Sequence, residues 1–262
     1  MRFLRHLPTR YYLVCVVIAM GCSPASQKAP PPTSHPDQSA APVFRVDPLT
    51  AGSISGTVRY SGKKPHPTVI DMSEDPACVE AHRGKAIDES LLVSPNGALA
   101  NAFVYVKKGL EGKSFEIPST PVTIDQNGCW FRPRVLGIQT NQLLQVTNSD
   151  PVTHNIHPMG QINREWNHSQ GAGDEPLERK FIKPEIMIRV KCNIHHWMHA
   201  YIGVVDNPYF AVSRQDGSFT ITGLPPGTYT IGLWHESLGT QEQVVTVPPH
   251  ASTVLNVTFK GK

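Results

Sequence analysis

Cys192-Asn193-Ile194-His195-His196-Trp197-Met198 packs a thiol, an imidazole and a thioether into one short run, at Cys-x2-His-x2-Met spacing. On either side the chain alternates apolar and polar residues: Glu185-Ile186-Met187-Ile188-Arg189-Val190-Lys191 before it, Ala200-Tyr201-Ile202-Gly203-Val204-Val205 after it. Period-two alternation is the mark of a β-strand. The sequence therefore predicts a tight turn between two strands, with the sulfur and nitrogen donors carried on the turn. A thiolate with imidazole is a soft donor set of the kind copper prefers, and a trigonal Cys and two His with a weak axial Met is the usual electron-transfer copper geometry.

The remaining donor has to come from elsewhere. Asn148-Ser149-Asp150-Pro151-Val152-Thr153-His154-Asn155 offers it, with His154 just past another alternating stretch, Leu143-Leu144-Gln145-Val146-Thr147. A His-Asn pair upstream and a Cys–His–Met turn downstream resemble the cupredoxin (plastocyanin-like) family. That resemblance implies a Greek-key β-sandwich and one type 1-like copper ion, with His154, Cys192, His195 and Met198 as ligands. It also implies one-electron transfer, with His195 on an exposed turn as the electron port. Asn155 is expected to hydrogen-bond across to the Cys192 region. The chain departs from the family in the two-residue gap between His195 and Met198, where ordinary loops hold three or more. A gap of two ends the binuclear copper loop of oxidases, but that loop needs a second cysteine and none is present here. His196 and His199 thus stay open as replacements for Met198, and His157 as a rival to His154 without the following Asn. Trp197 and Trp130 are read as docking surface or core.

Composition agrees with an all-β chain. Among 262 residues, 24 prolines and 20 glycines suit many short strands and turns, and no stretch holds a sustained helical apolar stripe. Arg2, Arg5 and Arg10 precede an apolar run, Tyr12 to Met20, and then Gly21-Cys22. A basic start, a short apolar centre and small residues at the end describe an export signal over 1–21 rather than a membrane span. Ile18-Ala19-Met20-Gly21-Cys22 resembles a lipobox, which implies lipidation of Cys22, and Ser23 favours outer-membrane placement on the periplasmic side. Residues 22–50, with Pro30-Pro31-Pro32 and scattered Ser and Ala, read as a disordered tether. Without the three leader arginines, basic and acidic residues balance, which removes any electrostatic case for nucleic acid.

Five cysteines are present. Cys15 belongs to the signal, Cys22 to the anchor and Cys192 to the turn, leaving Cys78 and Cys129 to pair as a disulfide in an oxidising compartment. The competing reading makes Cys78 and His82 metal ligands on a short helix that Pro76 opens. No Cys-x-x-Cys-His occurs, so c-type haem attachment is excluded.

The last quarter of the chain reads as strand, Asp216-Gly217 turn, strand, Pro225-Pro226-Gly227 turn, strand. With Gly52–Gly62 and Asn101–Val106 it resembles the carboxypeptidase regulatory-like family, which implies a small transthyretin-like β-sandwich without catalysis of its own. The resulting organisation is a sandwich split in two by an insertion. Its first part spans 51–114 with an excursion around Cys78, the cupredoxin-like part 115–206, and the second part 207–262. Insertions are tolerated where chain ends lie close together.

No Gly-x-Ser-x-Gly, His-Glu-x-x-His or phosphate loop appears, so the chain is not expected to be an enzyme. Trp234-His235-Glu236 reads as a surface feature at a strand end. Three functional classes remain: a membrane-tethered electron carrier docking on a redox partner, a copper storage or delivery protein, and a metal-free adhesion or scaffold module.

Overall fold

A computed structural model describes residues 42–82 and 84–261. The signal segment, Cys15 and Cys22 lie outside the described residues. In chain order the elements are β1 (Gly52–Ser61), α1 (Pro76–His82), β2 (Phe103–Lys108), β3 (Val122–Gln126), β4 (Phe131–Arg132), β5 (Val135–Gln139), β6 (Leu144–Asn148), β7 (His154–Pro158), β8 (His168–Gln170), β9 (Leu177–Arg179), β10 (Glu185–Lys191), β11 (His199–Val205), β12 (Phe210–Val212), β13 (Ser218–Leu224), β14 (Gly227–His235), β15 (Gly239–Val247), β16 (Ser252–Val254) and β17 (Val257–Lys260). The class is all-β, and among the described residues no helix is long and apolar enough to cross a membrane.

Strand pairing sorts these elements into an inner and an outer pair of sheets. The outer pair takes its strands from the two ends of the chain: β13-β1-β16 with β17 also on β1, and β12-β2-β14-β15. The inner pair is β5-β11-β10-β7-β8 and β4-β3-β6-β9, all from the stretch between β2 and β12. Each pair encloses its own apolar cluster. Ile54, Val58, Val104, Ile221, Ile231, Leu233, Val257 and Phe259 fill the outer one, and Ile124, Phe131, Ile138, Leu144, Val146, Ile188, Val190 and Ile202 the inner one.

Where the pairs meet, the sequence supplies glycine. Gly137 on β5 and Gly203 on β11 are register partners on adjacent parallel strands. A Cβ on Gly137 would sit 2.3 Å from the Phe210 ring, and one on Gly203 2.6 Å from the Phe103 ring. Two bare positions side by side thus make the shallow seat into which β2 and β12 set their phenylalanines. Across the same contact Arg134 and Glu236 form a two-pronged ion pair at 2.5 and 2.9 Å, both side chains buried. The Trp234-His235-Glu236 strand end is therefore interior, not surface: His235 is 1% exposed, and Glu236 takes the charge of Arg134.

Two stretches differ from their composition-based reading. Residues 43–50, assigned to the tether, are tied to the outer sheets: Val43 bridges Ser114, the Phe44 ring meets Phe115 edge-on, and Val46 packs against the outer core. Apolar residues spaced through a proline-rich run suffice for that. The excursion around Cys78 departs from the outer sheets altogether, since Met72, Cys78 and Ala86 are buried in the inner core. It carries α1, whose start is fixed by Asp75, the N-cap: its Oδ1 accepts the N–H groups of Ala77 (3.0 Å) and Cys78 (3.3 Å), with Pro76 at the first helical position.

Candidate metal centre

β10 and β11 pair antiparallel up to Lys191 opposite His199, so residues 192–198 are the loop of a hairpin. The loop is closed by two backbone bonds, Cys192 N–H to the Met198 carbonyl (3.1 Å) and Met198 N–H to the His195 carbonyl (3.0 Å). On the other side of β10, β7 runs antiparallel with His157 opposite Lys191. Continuing that register carries the start of β7 past the end of β10 and alongside the loop. The strand pattern thus brings His154 to Cys192 and His195.

The three groups converge. His154 Nδ1 and His195 Nδ1 lie 2.9 Å apart, and Cys192 Sγ is 3.8 Å from His195 Nδ1. All three residues are buried, and their donor atoms lie within 4.8 Å of one another. Each histidine turns its other nitrogen to a carboxylate: His154 Nε2 to Asp150 Oδ2 and His195 Nε2 to Asp75 Oδ2, both at 2.9 Å. A carboxylate only accepts, so each Nε2 carries a proton and each Nδ1 is turned inward, able to offer a lone pair to a metal ion when it is itself unprotonated. Two inward lone pairs and a sulfur at these distances repel unless a cation, a proton or a metal ion, sits among them. The donor set therefore fits a soft metal ion held by two imidazoles and one thiolate.

The electrostatics favour the thiolate. Burial pushes the Cys192 thiol up, but the His154 imidazole and the backbone N–H groups of Asn155, His195 and Ile194 outweigh it and bring it down to about 6. Burial opposes a charged His154, yet Asp150 and Cys192 raise it above the ordinary histidine range. Burial also pushes Asp150 up, but His154 and the N–H groups of Cys129 and Gly128 hold it below the usual carboxylate range. Asp75 is lowered chiefly by its bond to His195. Asn155 locks the loop to β7: its N–H reaches Cys192 Sγ at 3.5 Å and its Oδ1 accepts the Asn193 N–H at 2.6 Å.

The other sequence-nominated residues fall differently. Met198 is fully buried in the inner core beside this loop. His199 is engaged elsewhere, with Nε2 against Arg134 and Nδ1 donating to the Trp197 carbonyl at 3.1 Å. His196 is exposed and packs edge-on against Trp197. His157 bonds Glu165 and Asn193, outside the cluster. His195 is not on an exposed turn: it is 3% exposed, because Asp75 and the start of α1 cover it. Trp130 and Trp197 belong to the core rather than to a docking surface. Cys78 and Cys129 form a disulfide with Cα atoms 5.5 Å apart, which rules out Cys78 as a metal ligand, and His82 instead accepts the Trp130 indole N–H at 2.8 Å. Cys192 is the free cysteine among the described residues.

Sequence reasoning missed both carboxylates. Asp150 was within reach, four residues before His154 in the quoted segment. Asp75 was not: 120 residues separate it from His195, and only the disulfide hinted that its segment returns here.

No protein-family model matches the chain, and no curated protein matches it. Solved structures do. A Cu-containing nitrite reductase (NirK) from Thermus scotoductus SA-01 is 25% identical over 38% of this chain and 25% of that one, with a TM-score of 0.32. A purple cupredoxin from Nitrosopumilus maritimus is 21% identical over 31% of this chain and 97% of that one, at 0.27. An oxidised amicyanin carrying a proline-to-glycine substitution is 12% identical over 38% of this chain and 97% of that one, at 0.30. The chain spans about a quarter of the nitrite reductase it matches.

Proposed function

We propose that His154, Cys192 and His195 hold one copper ion, with Met198 as a weak fourth donor, and that the protein is a one-electron carrier. The observation that carries this reading is the convergence of two inward Nδ1 atoms and a low-pKa thiol, with both imidazoles locked from behind by carboxylates. Copper bound there would cycle between Cu(I) and Cu(II). The protein's part is to hold the donors still. The hairpin closure fixes Cys192 and His195, Asn155 ties the loop to β7, and the core around Met198 excludes water. A donor set that does not rearrange suits both oxidation states, and so suits electron transfer.

In the same reading the inner sheets form a cupredoxin-like domain inserted into a carboxypeptidase regulatory-like sandwich made of the outer sheets. The strand pairing of the chain's two ends supports it. Export, lipidation at Cys22 and an outer-membrane, periplasmic location rest on the leader sequence, and a redox protein is the partner.

Copper titration of the exported protein tests the centre. One equivalent should produce a thiolate-to-copper charge-transfer band in the visible, and Cys192→Ser should abolish it. His154→Ala and His195→Ala should weaken binding severely. Copper affinity unchanged in Cys192→Ser would remove the thiolate from the site and favour the metal-free scaffold reading.

A further inference from the structure

We infer that Asp75 and Asp150 are positioning residues of this centre, a pair of carboxylates joined through the Cys78–Cys129 bridge that orient its two histidines and bias bound copper toward Cu(II). The inference rests on the copper reading above and goes further, to what sets the balance between the two oxidation states.

The two halves are built alike. Each carboxylate anchors to backbone through Oδ1 and holds a histidine through Oδ2, and on Asp150 that second oxygen takes a further backbone N–H. Asp75 uses Oδ1 to cap α1 and Oδ2 to hold His195. Asp150 uses Oδ1 for the Gly128 N–H (2.7 Å), and Oδ2 for the Cys129 N–H (2.7 Å) and His154. The disulfide connects them. Cys78 follows Asp75 by three residues, and its sulfur lies within 4.8 Å of the Asp75 oxygen and the His195 nitrogen. Cys129 supplies one of the N–H groups on Asp150, and its sulfur lies within 4.8 Å of the Asp150 oxygen and the His154 nitrogen. One covalent bridge therefore ties together the segments that deliver both carboxylates, although they are far apart in sequence.

The consequence is electrostatic. A thiolate and two carboxylates set three negative charges around the donors; Cu(II) offsets two of them and Cu(I) only one. In a water-poor interior that difference favours the more highly charged ion. Accepting each Nε2–H also makes the imidazoles better donors, again favouring the divalent state. Asp150, with a side chain 4% exposed, should act more strongly than Asp75 at 30%, where solvent screens the charge.

The test is spectroelectrochemistry of the copper-loaded full chain. Asp75→Asn keeps an oxygen to cap α1 and turns an NH2 toward His195, so it removes both the charge and the acceptor for Nε2–H and leaves the helix start intact. It should retain the charge-transfer band while the Cu(II)/Cu(I) ratio at fixed applied potential falls about tenfold, a rise of about 59 mV. Asp150→Asn should move the ratio further in the same direction. Cys78→Ser/Cys129→Ser should move it the same way, because Asp75 is no longer held against His195. Absence of a charge-transfer band in the wild type would overturn the copper reading itself. A normal band with Asp75→Asn and Asp150→Asn both within twofold of the wild-type ratio would overturn this inference alone. A disulfide-free variant at the wild-type ratio would overturn the part assigned to the bridge.

Discussion

The outer sheet pair buries polar groups as backbone braces, and the inner pair adds to such braces a cluster of a different kind. In the outer pair those groups serve the backbone: Ser213 Oγ donates to the Leu99 carbonyl and accepts the Ala102 N–H, and Asn207 accepts the Tyr209 N–H. His235 likewise accepts the Ser237 N–H. Each is an internal brace for a turn or strand end. In the inner pair Asn163 and Glu185 brace loops in the same way, but Asp75 and Asp150 also hold His195 and His154, and these histidines and Asn155 gather about the Cys192 sulfur. Side chains that satisfy backbone make a scaffold, whereas side chains that satisfy each other around a shared point make a site. The same strand architecture hosts both, and the difference lies in where the donors and acceptors are aimed.

Cutting the joint between the two regions gives the largest expected effect. Glu236→Ala leaves the Arg134 guanidinium buried without its counter-charge, beside an Nη1 that already has no partner. Breaking a buried pair from one side costs about 3–5 kcal/mol, measurable as a fall in the denaturant midpoint. The copper band should persist, because His154, Cys192 and His195 make no contact with this pair.

Next is the disulfide, which belongs to the inner pair alone. It closes a loop of 51 residues, so Cys78→Ser/Cys129→Ser should cost about 4 kcal/mol by loop-closure entropy. Unlike Glu236→Ala it should disturb the centre as well. Thiol counting on the unfolded, unreduced protein should find Cys192 reactive and Cys78 and Cys129 silent.

A pH series separates the outer pair. Burial pushes His235 down to about 4, against the opposing pull of Glu236. An unfolded histidine titrates near 6.5, so between these values the unfolded chain takes a proton that the folded chain refuses. Protonation of His235 therefore costs the fold nothing above about pH 6.5 and destabilises it as pH falls toward 4, by up to about 3 kcal/mol. The wild-type protein should lose that much more than His235→Gln over this range, and parallel curves would contradict the assignment. The smallest effect belongs to Met198→Leu, a near-isosteric change in the inner core that should cost less than about 1.5 kcal/mol. Copper should stay bound with the potential mainly raised, and loss of binding would point to a local Cys/His/Met clamp instead.

What the sequence disclosed follows the range over which each signal acts. The hairpin loop was legible because alternation and spacing are local: the Cys192–Met198 turn and the approach of His154 both follow from strand period and register. The disulfide was legible because two cysteines were left after the others had roles. The cover over His195 was not, since it depends on Asp75 arriving from a segment whose own pattern, about two helical turns among prolines and charges, predicts no destination. Trp130 and Trp197 were ambiguous for the same reason: an indole reads as surface or core until its neighbours are known. Glu236 reads as exposed at a strand end because its partner, Arg134, arrives from the connection between β4 and β5, 102 residues earlier.

Copper K-edge X-ray absorption on the loaded protein reads the atoms around the ion themselves. The assignment of His154, Cys192 and His195 as ligands requires one short copper–sulfur distance and two imidazole nitrogens, with the sulfur contribution lost in Cys192→Ser. A first shell of nitrogen and oxygen alone in the wild-type protein would contradict it.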